Sequence, residues 1–443
     1  MSADQPASSP AARPSSSKPG HTAHLLIFLT VFIDLLGFGI VIPILPLYAE
    51  KFGATKIDNG FLVAIYSLMQ VLCTPLWGKL SDRIGRRPVL IISTLGTALG
   101  FFLMAVAGPL GSLILLFVAR AIDGASGGNI STASAYLADI TPPEKRARMM
   151  GLIGAAFGLG FVFGPMVAGL LGWVHHSLPF WFAGILALAN SVFIFLKLPE
   201  SLTPERRVKQ SEKATLREII ERGNPQLPGV MFIYFLAITA FSVMTTLYAL
   251  NTTEMIPHLK ENERTASLVN GLLFAIVGIV GAVIQGRYIG SLTSRFGEKR
   301  LALTGAVILA LFLALLHGRD AIWSIALVSI GIAVGNSLIT PSLNSIASRG
   351  SDATAQGRTM GLMGSAGSVG RVVGPILSGP LAAWHLKPFW WAAALMIAAA
   401  VFILQLHPHD SGKPVADETP SRPDADSPPG TSSEDGDTEA PKA

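Results

Sequence analysis

The stretch "RMMGLIGAAFGLGFVFGP", residues 148–165, returns as "RTMGLMGSAGSVGRVVGP", residues 358–375. Ten of the eighteen positions are identical at an offset of 210. A second echo runs beside it: "GKLSDRIGRR" from Gly78 matches "GSLTSRFGEK" from Gly290 at an offset of 212. The chain is therefore one unit used twice. Duplicated apolar segments are the architecture of membrane transporters, in which a substrate site forms where two halves meet.

Composition agrees. Half of the 443 residues are hydrophobic and only 14% are charged, against roughly 25% in soluble domains. A helix needs about 20 apolar residues to cross a bilayer core of roughly 30 Å. Twelve segments qualify: 24–49, 59–77, 88–107, 111–137, 147–172, 178–198, 227–250, 265–286, 300–317, 321–347, 357–383 and 388–406. The predicted class is an all-α polytopic membrane protein of two six-helix pseudo-repeats. The expected parts are an N-terminal tail (1–23), a first bundle (24–198), a polar linker (199–226), a second bundle (227–406) and a disordered acidic tail (407–443). The apolar run after residue 23 is too long for the core of a cleavable signal and reads as the first span.

Lysine and arginine set the orientation. With the N-terminus inside, twenty fall in inner loops and the linker and six in outer loops. Both termini are then cytoplasmic, and the expected location is a bacterial inner membrane, crossed many times. All seven tryptophans fall near predicted span ends, as an interfacial belt requires. The single cysteine, Cys73, excludes an internal disulfide and a thiolate zinc cluster. No metal cluster, nucleophile triad or phosphate loop is visible, so no enzyme, cofactor, metal or nucleic-acid partner is expected. The expected partners are the lipid bilayer, protons and a small-molecule substrate, and the expected unit is a monomer.

"GKLSDRIGRRP" from Gly78 packs three arginines, a lysine and an aspartate into a turn between spans. It could be a plain positive inner loop. It also resembles, completely, the signature G-x-x-x-D-R-x-G-R-R of the major facilitator superfamily. That resemblance implies a conformational latch built from Gly78, Asp82, Arg83, Gly85, Arg86 and Arg87. Asp82 would face the N-terminus of the eleventh helix, where a carboxylate is favoured. Arg86 would pair with Asp82 and with an acid at the inner end of the fourth helix, here Asp139. The second-half copy has Ser294 for Asp82 and Glu298 for Arg86, so it is expected to be degenerate.

Span five carries the ladder Gly154, Gly158, Gly160, Gly164, Pro165, and span eleven repeats its end as Gly374, Pro375. Small residues let membrane helices approach closely, and tight packing is one sufficient reading. The run also resembles the family's antiporter signature, which implies that spans five and eleven gate against spans eight and two.

Four charges lie inside spans. Asp34 sits about 15 Å along span one, near the midplane, where a charge is functional by default; helix pairing is the alternative. Arg120 and Asp123 in "FVARAIDG" reach the same height. The family places an arginine there and links it to proton coupling, whereas Asp123 departs from its pattern. The pair could equally neutralise itself at i, i+3. Arg371 replaces Phe161 of the repeat and meets no acid in any C-terminal span; it could line a cavity or snorkel. Gln70, Asn336 and Asn344 are candidates for the same cavity or for helix packing.

The phrases "IDLLGFGIVIPILPLY", "IYSLMQVLCTPLWGKLSDRIGRRPVL" and "GAAFGLGFVFGP" are similar to those of bacterial tetracycline/proton and multidrug/proton antiporters. Those tetracycline exporters carry acids in the third and ninth helices. Here Gly100 stands at the first, and span nine has none. The expectation is therefore proton-coupled export of a small amphipathic compound rather than of tetracycline itself. The alternatives are an importer or facilitator of an organic anion, with Arg371 and Arg120 as binding cations, and a non-transporting membrane sensor.

Overall fold

The computed structural model describes residues 21–202, 226–349 and 356–406, which are almost entirely helical. The expected linker and both tails lie mostly or wholly outside those residues. In the first half α1 is His21–Glu50, α2 Lys56–Ile84, α3 Arg86–Leu110, α4 Leu113–Ser126, α5 Ile130–Ile140, α6 Pro143–Val174 and α7 Leu178–Lys197. In the second half α8 is Leu227–Met255, α9 Pro257–Glu261, α10 Glu263–Val283, α11 Ile289–Phe296, α12 Glu298–Leu315, α13 Ile322–Arg349, α14 Gln356–Ala383 and α15 Pro388–Gln405.

Among the described residues, ten helical stretches are long and apolar enough to cross a membrane. The remaining two expected spans, 300–317 and 357–383, are the helices α12 and α14. α12 opens with Glu298, Lys299 and Arg300, and α14 is diluted by glycine, serine and Arg371. The expected fourth span is α4 and α5 joined through a 3-10 turn at Gly127–Asn129. The eighth runs from α10 through a π-turn, Ile284–Tyr288, into α11, about ten residues beyond its expected end.

The signature stretch is also more helical than a loop reading suggests. Residues 78–84 are the last turns of α2, and only Gly85 is outside a helix. Gly85 has φ 110° and its counterpart Gly297 has φ 76°. Both lie in the left-handed region that glycine enters without a β-carbon clash, so each half breaks its helix at one residue.

The halves bury separate apolar cores. One centres on Ile40, Ile44 and Phe101, the other on Leu247, Ile332 and Met396. The outward faces stay apolar, with Leu72, Leu99, Val192, Leu311 and Val401 exposed. Such a continuous apolar exterior suits contact with lipid.

The halves meet along two related crossings, α2 on α14 and α6 on α10. A Cβ added at Gly60 would lie 2.5 Å from the Pro375 carbonyl oxygen, and one at Gly271 would lie 2.6 Å from that of Pro165. Backbone touches backbone there, which only glycine allows. Ion pairs between the halves add to this at the end of the bundle away from the described termini. Lys56 Nζ is 2.8 Å from Glu254 Oε1, Lys51 pairs with Glu263, and His176 Nε2 is 3.4 Å from the same carboxylate. At the terminal end the halves part: a Cβ at Gly154, Gly158, Gly361 or Gly364 would meet nothing within 4 Å.

Candidate functional site

Between the parted ends lies a cavity of about 640 Å³ whose wall comes from both halves. The first half contributes Asp34, Phe38, Tyr66, Gln70, Phe157 and Phe161; the second contributes Met360, Ser368 and Arg371. Of the expected cavity residues, Gln70 and Arg371 are in the wall. Gln70 Nε2 donates to the Gly127 carbonyl at 3.0 Å. Asn336 and Asn344 are not among the lining residues; Asn344 lies beside Tyr234.

α1 places Asp34 in the cavity wall, with both carboxylate oxygens buried. Its helix is unbroken despite Pro43 and Pro46. Neither carboxylate oxygen of Asp34 meets a hydrogen-bond donor, and Asn129 is the neighbouring polar side chain. Both side-chain polar atoms of Asn129 are also without partners. Buried polar groups in folded proteins are nearly always paired, and here Asp34 and Asn129 are each other's polar neighbours.

Arg120 and Asp123 lie behind that wall. Arg120 is 1% exposed and Asp123 4%. Arg120 Nη1 donates to Asp123 Oδ2 at 2.8 Å and its Nε to the Leu62 carbonyl at 3.4 Å. The guanidinium lies 4.3 Å from the Tyr66 ring centroid, within cation–π range. Tyr66 thus stands between the ion pair and the cavity. The structure brings Asp34 within electrostatic reach of Asp123 but places only Asp34 on the wall. Gly100 explains how the pair fits: a Cβ there would lie 2.8 Å from the Asp123 Cβ. The position that lacks an acid on α3 is the one against which the α4 acid packs.

The first-half latch assembles at the terminal end. Arg86 Nη1 is 2.7 Å from Asp82 Oδ1, and its Nε is 3.4 Å from Asp139 Oδ2. Arg83 is exposed. Arg87 donates to the Phe195 carbonyl at the end of α7. Glu200 completes the cluster and was not anticipated. Its carboxylate accepts the backbone N–H groups of Arg86 at 2.8 Å and Arg87 at 3.1 Å. Ser201 Oγ donates to Asp139 Oδ2 at 3.1 Å. One signal was available in the sequence. α3 begins after a glycine, which offers no side chain to its first N–H groups, so an acceptor must come from elsewhere.

The second-half copy keeps one ion pair of the first, with its charges reversed. Arg349 Nη2 pairs with Glu298 Oε1. These positions correspond to Asp139 and Arg86, with the charges exchanged. Ser345 Oγ adds a hydrogen bond to Glu298 at 3.1 Å. Lys299, the counterpart of Arg87, donates to the Leu404 carbonyl at 2.9 Å at the end of α15. Asp82 lacks an ionic counterpart, because Ser294 occupies its place.

The expected gating glycines divide by height. A Cβ at Gly160 would lie 2.7 Å from Leu35, one at Gly164 2.7 Å from Gly39, and one at Gly374 2.6 Å from Ser242. These three fasten α6 and α14 to the first helix of their own half. Gly154 and Gly158 face the open end.

Two repeated helical halves, a cavity between them and an ion-paired signature turn define a class. The chain belongs to the Major Facilitator Superfamily, whose sequence model matches residues 27–290 and 271–432. Members of that family are transporters. Within it, the chain is 33% identical over 389 residues to the class C tetracycline resistance protein of Escherichia coli, covering 87% of this chain and 96% of that one. It is 26% identical over 382 residues to the quinolone resistance protein NorA of Staphylococcus aureus, covering 86% and 95%. Among solved structures, it is similar to the human organic anion transporter MFSD10, with a TM-score of 0.63 and 25% identity over 87% of this chain and 100% of the other.

Proposed function

We propose that this protein is a proton-coupled antiporter that exports a small amphipathic organic compound by alternating access. Twelve spans with both termini in the cytoplasm of a bacterial cell follow from the hydropathy pattern and the twenty-to-six lysine and arginine bias. The state described is then open to the cytoplasm and closed on the outer side. The observation that carries the reading is Asp34: a carboxylate without a hydrogen-bond donor, in the wall of a cavity between two halves. A carboxylate in that setting can hold a proton or a cationic group of the substrate, but not both. Proton entry from outside then drives substrate release. The resistance proteins among the relatives support export as the direction.

The test is drug transport into everted membrane vesicles. Accumulation is expected to follow the proton gradient and to collapse with an uncoupler, and Asp34→Asn is expected to abolish gradient-driven accumulation. Accumulation that persists without the gradient would falsify the coupling. A second reading, transport of an organic anion, is favoured by Arg371 in the cavity wall and by the likeness to MFSD10. Anion uptake into whole cells that depends on this protein would support it.

A further inference from the structure

α6 and α14 end in copies of one turn. "WVHHSLPFW", residues 173–181, returns as "WHLKPFW", residues 384–390. In each copy the phenylalanine, Phe180 or Phe389, is buried, and the tryptophan after it is exposed. The second copy is two residues shorter between its first tryptophan and its proline. It reverses the chain with two left-handed residues, His385 at φ 54° and Lys387 at φ 49°. Among the described residues no other side chain but glycine's has a positive φ. Both positions break a local rule. The Leu386 N–H donates to the Leu381 carbonyl at 2.9 Å and the His385 N–H to the Ala382 carbonyl at 3.2 Å. That is a Schellman ending, whose left-handed residue is ordinarily glycine. Lys387 stands at the N-cap of α15, where a short acceptor in an extended conformation is preferred. Departures of this kind gather at sites that need particular side chains.

The first copy spends its histidine on the other half, with His176 Nε2 3.4 Å from Glu263. The second copy has no such partner: none of the described ion pairs includes His385 or Lys387. Lys387 Nζ lies 4.6 Å from the Trp390 ring centroid. A cavity of about 460 Å³ opens there, lined by His385, Leu386, Lys387, Trp390, Trp391 and Ala394. It shares no residue with the central cavity. Among the described residues only the indole N–H of Trp77 has a protein acceptor, so those of Trp390 and Trp391 are free to donate. We infer that this outer cavity binds an anionic glycerophospholipid, its phosphate held by Lys387 and the indole N–H groups and its chains laid against Trp391 and Ala394. Charge complementarity selects the class. The wall offers a cation and donors, and no carboxylate to receive a headgroup ammonium. An interfacial belt needs tryptophans alone; it does not need a lysine held in the left-handed region. On the topology proposed above, the lipid belongs to the outer leaflet.

Native mass spectrometry of the purified full chain in detergent, titrated with dioleoylphosphatidylglycerol, tests this. The first lipid adduct is expected to form roughly fivefold more tightly than with dioleoylphosphatidylethanolamine or dioleoylglycerol, the worth of one interfacial lysine. Lys387→Gln is expected to remove that preference and Lys387→Arg to keep it. Lys260→Gln, at an exposed lysine of the same end, is expected to leave it unchanged. A phosphatidylglycerol carrying a diazirine in its headgroup is expected to crosslink within residues 384–391. Equal phosphatidylglycerol binding by the wild type and Lys387→Gln overturns the inference, as does crosslinking confined to other segments. An equal loss in Lys260→Gln overturns it in favour of diffuse surface charge. Displacement of the first adduct by inorganic phosphate overturns it in favour of a free phosphate site. The titration reads neither transport nor a proton gradient, so its outcome is independent of the antiport reading.

Discussion

Gly60 rests against the Pro375 carbonyl so closely that a Cβ on it would stand 2.5 Å from the oxygen, and Gly271 repeats the contact on Pro165 at 2.6 Å. The four residues are two copies of one pair. Each repeat lends its glycine-proline step to the other half's glycine. At that distance neither backbone can yield to a side chain.

Gly60→Ala or Gly271→Ala should therefore prevent closure at this end. Transport is expected to fall at least tenfold with the protein still inserted. Spin labels across the α2–α14 crossing should report a longer distance in Gly60→Ala. Normal transport by both variants would show that the crossing is not a gate.

The pair Glu298–Arg349 is the charge-reversed copy of Arg86–Asp139. Arg349 is half exposed, so the pair is worth about 1 kcal/mol at most. Glu298→Arg alone sets two cations together and should reduce transport severalfold. The double variant Glu298→Arg with Arg349→Glu should recover most of it. Recovery in that double-mutant cycle measures the pair itself; a double variant no better than the single one would argue against a latch.

Arg120 and Asp123 are buried and paired. Removing one partner strands a charge, at a cost of about 3–5 kcal/mol. Arg120→Gln and Asp123→Asn should each lower the melting temperature in detergent, and the double variant should be more stable than either. Unchanged stability in Arg120→Gln would mean that Asp123 is protonated in the native protein, since only the carboxyl of the pair can be neutral. Gly100→Ala should act in the same direction through its clash with Asp123.

His176 sits in the ion cluster of Lys51, Glu263, His175 and Arg264 at the closed end. Burial and the charge of Lys51 hold its imidazole below the ordinary value of 6.5, against the pull of Glu263. The closed state therefore binds the proton less readily than a parted, solvated state would. Acidifying that face below about 6.5 should favour parting, and raising the pH should favour closure. Distance measurements across Lys51 and Glu263 as a function of pH check the sign, and His176→Gln should flatten the response.

Much of this was legible in the chain. Hydropathy and duplication are local or pairwise properties of sequence, and they suffice for two helical halves, the signature turn and the charges placed within apolar runs. What each charge touches is a different kind of fact. Arg120 and Asp123 are three residues apart, and a helix alone brings them together. Glu200 reaches the N-terminus of α3 across more than a hundred residues, and Glu298 finds Arg349 across fifty. Those distances depend on how helices pack, which no periodicity records. The sequence therefore determined that Asp34, Asp123 and Arg371 are costly. Only the tertiary structure decided which of them carries its partner and which faces an open cavity, because a buried charge is satisfied by geometry and not by neighbours in the chain.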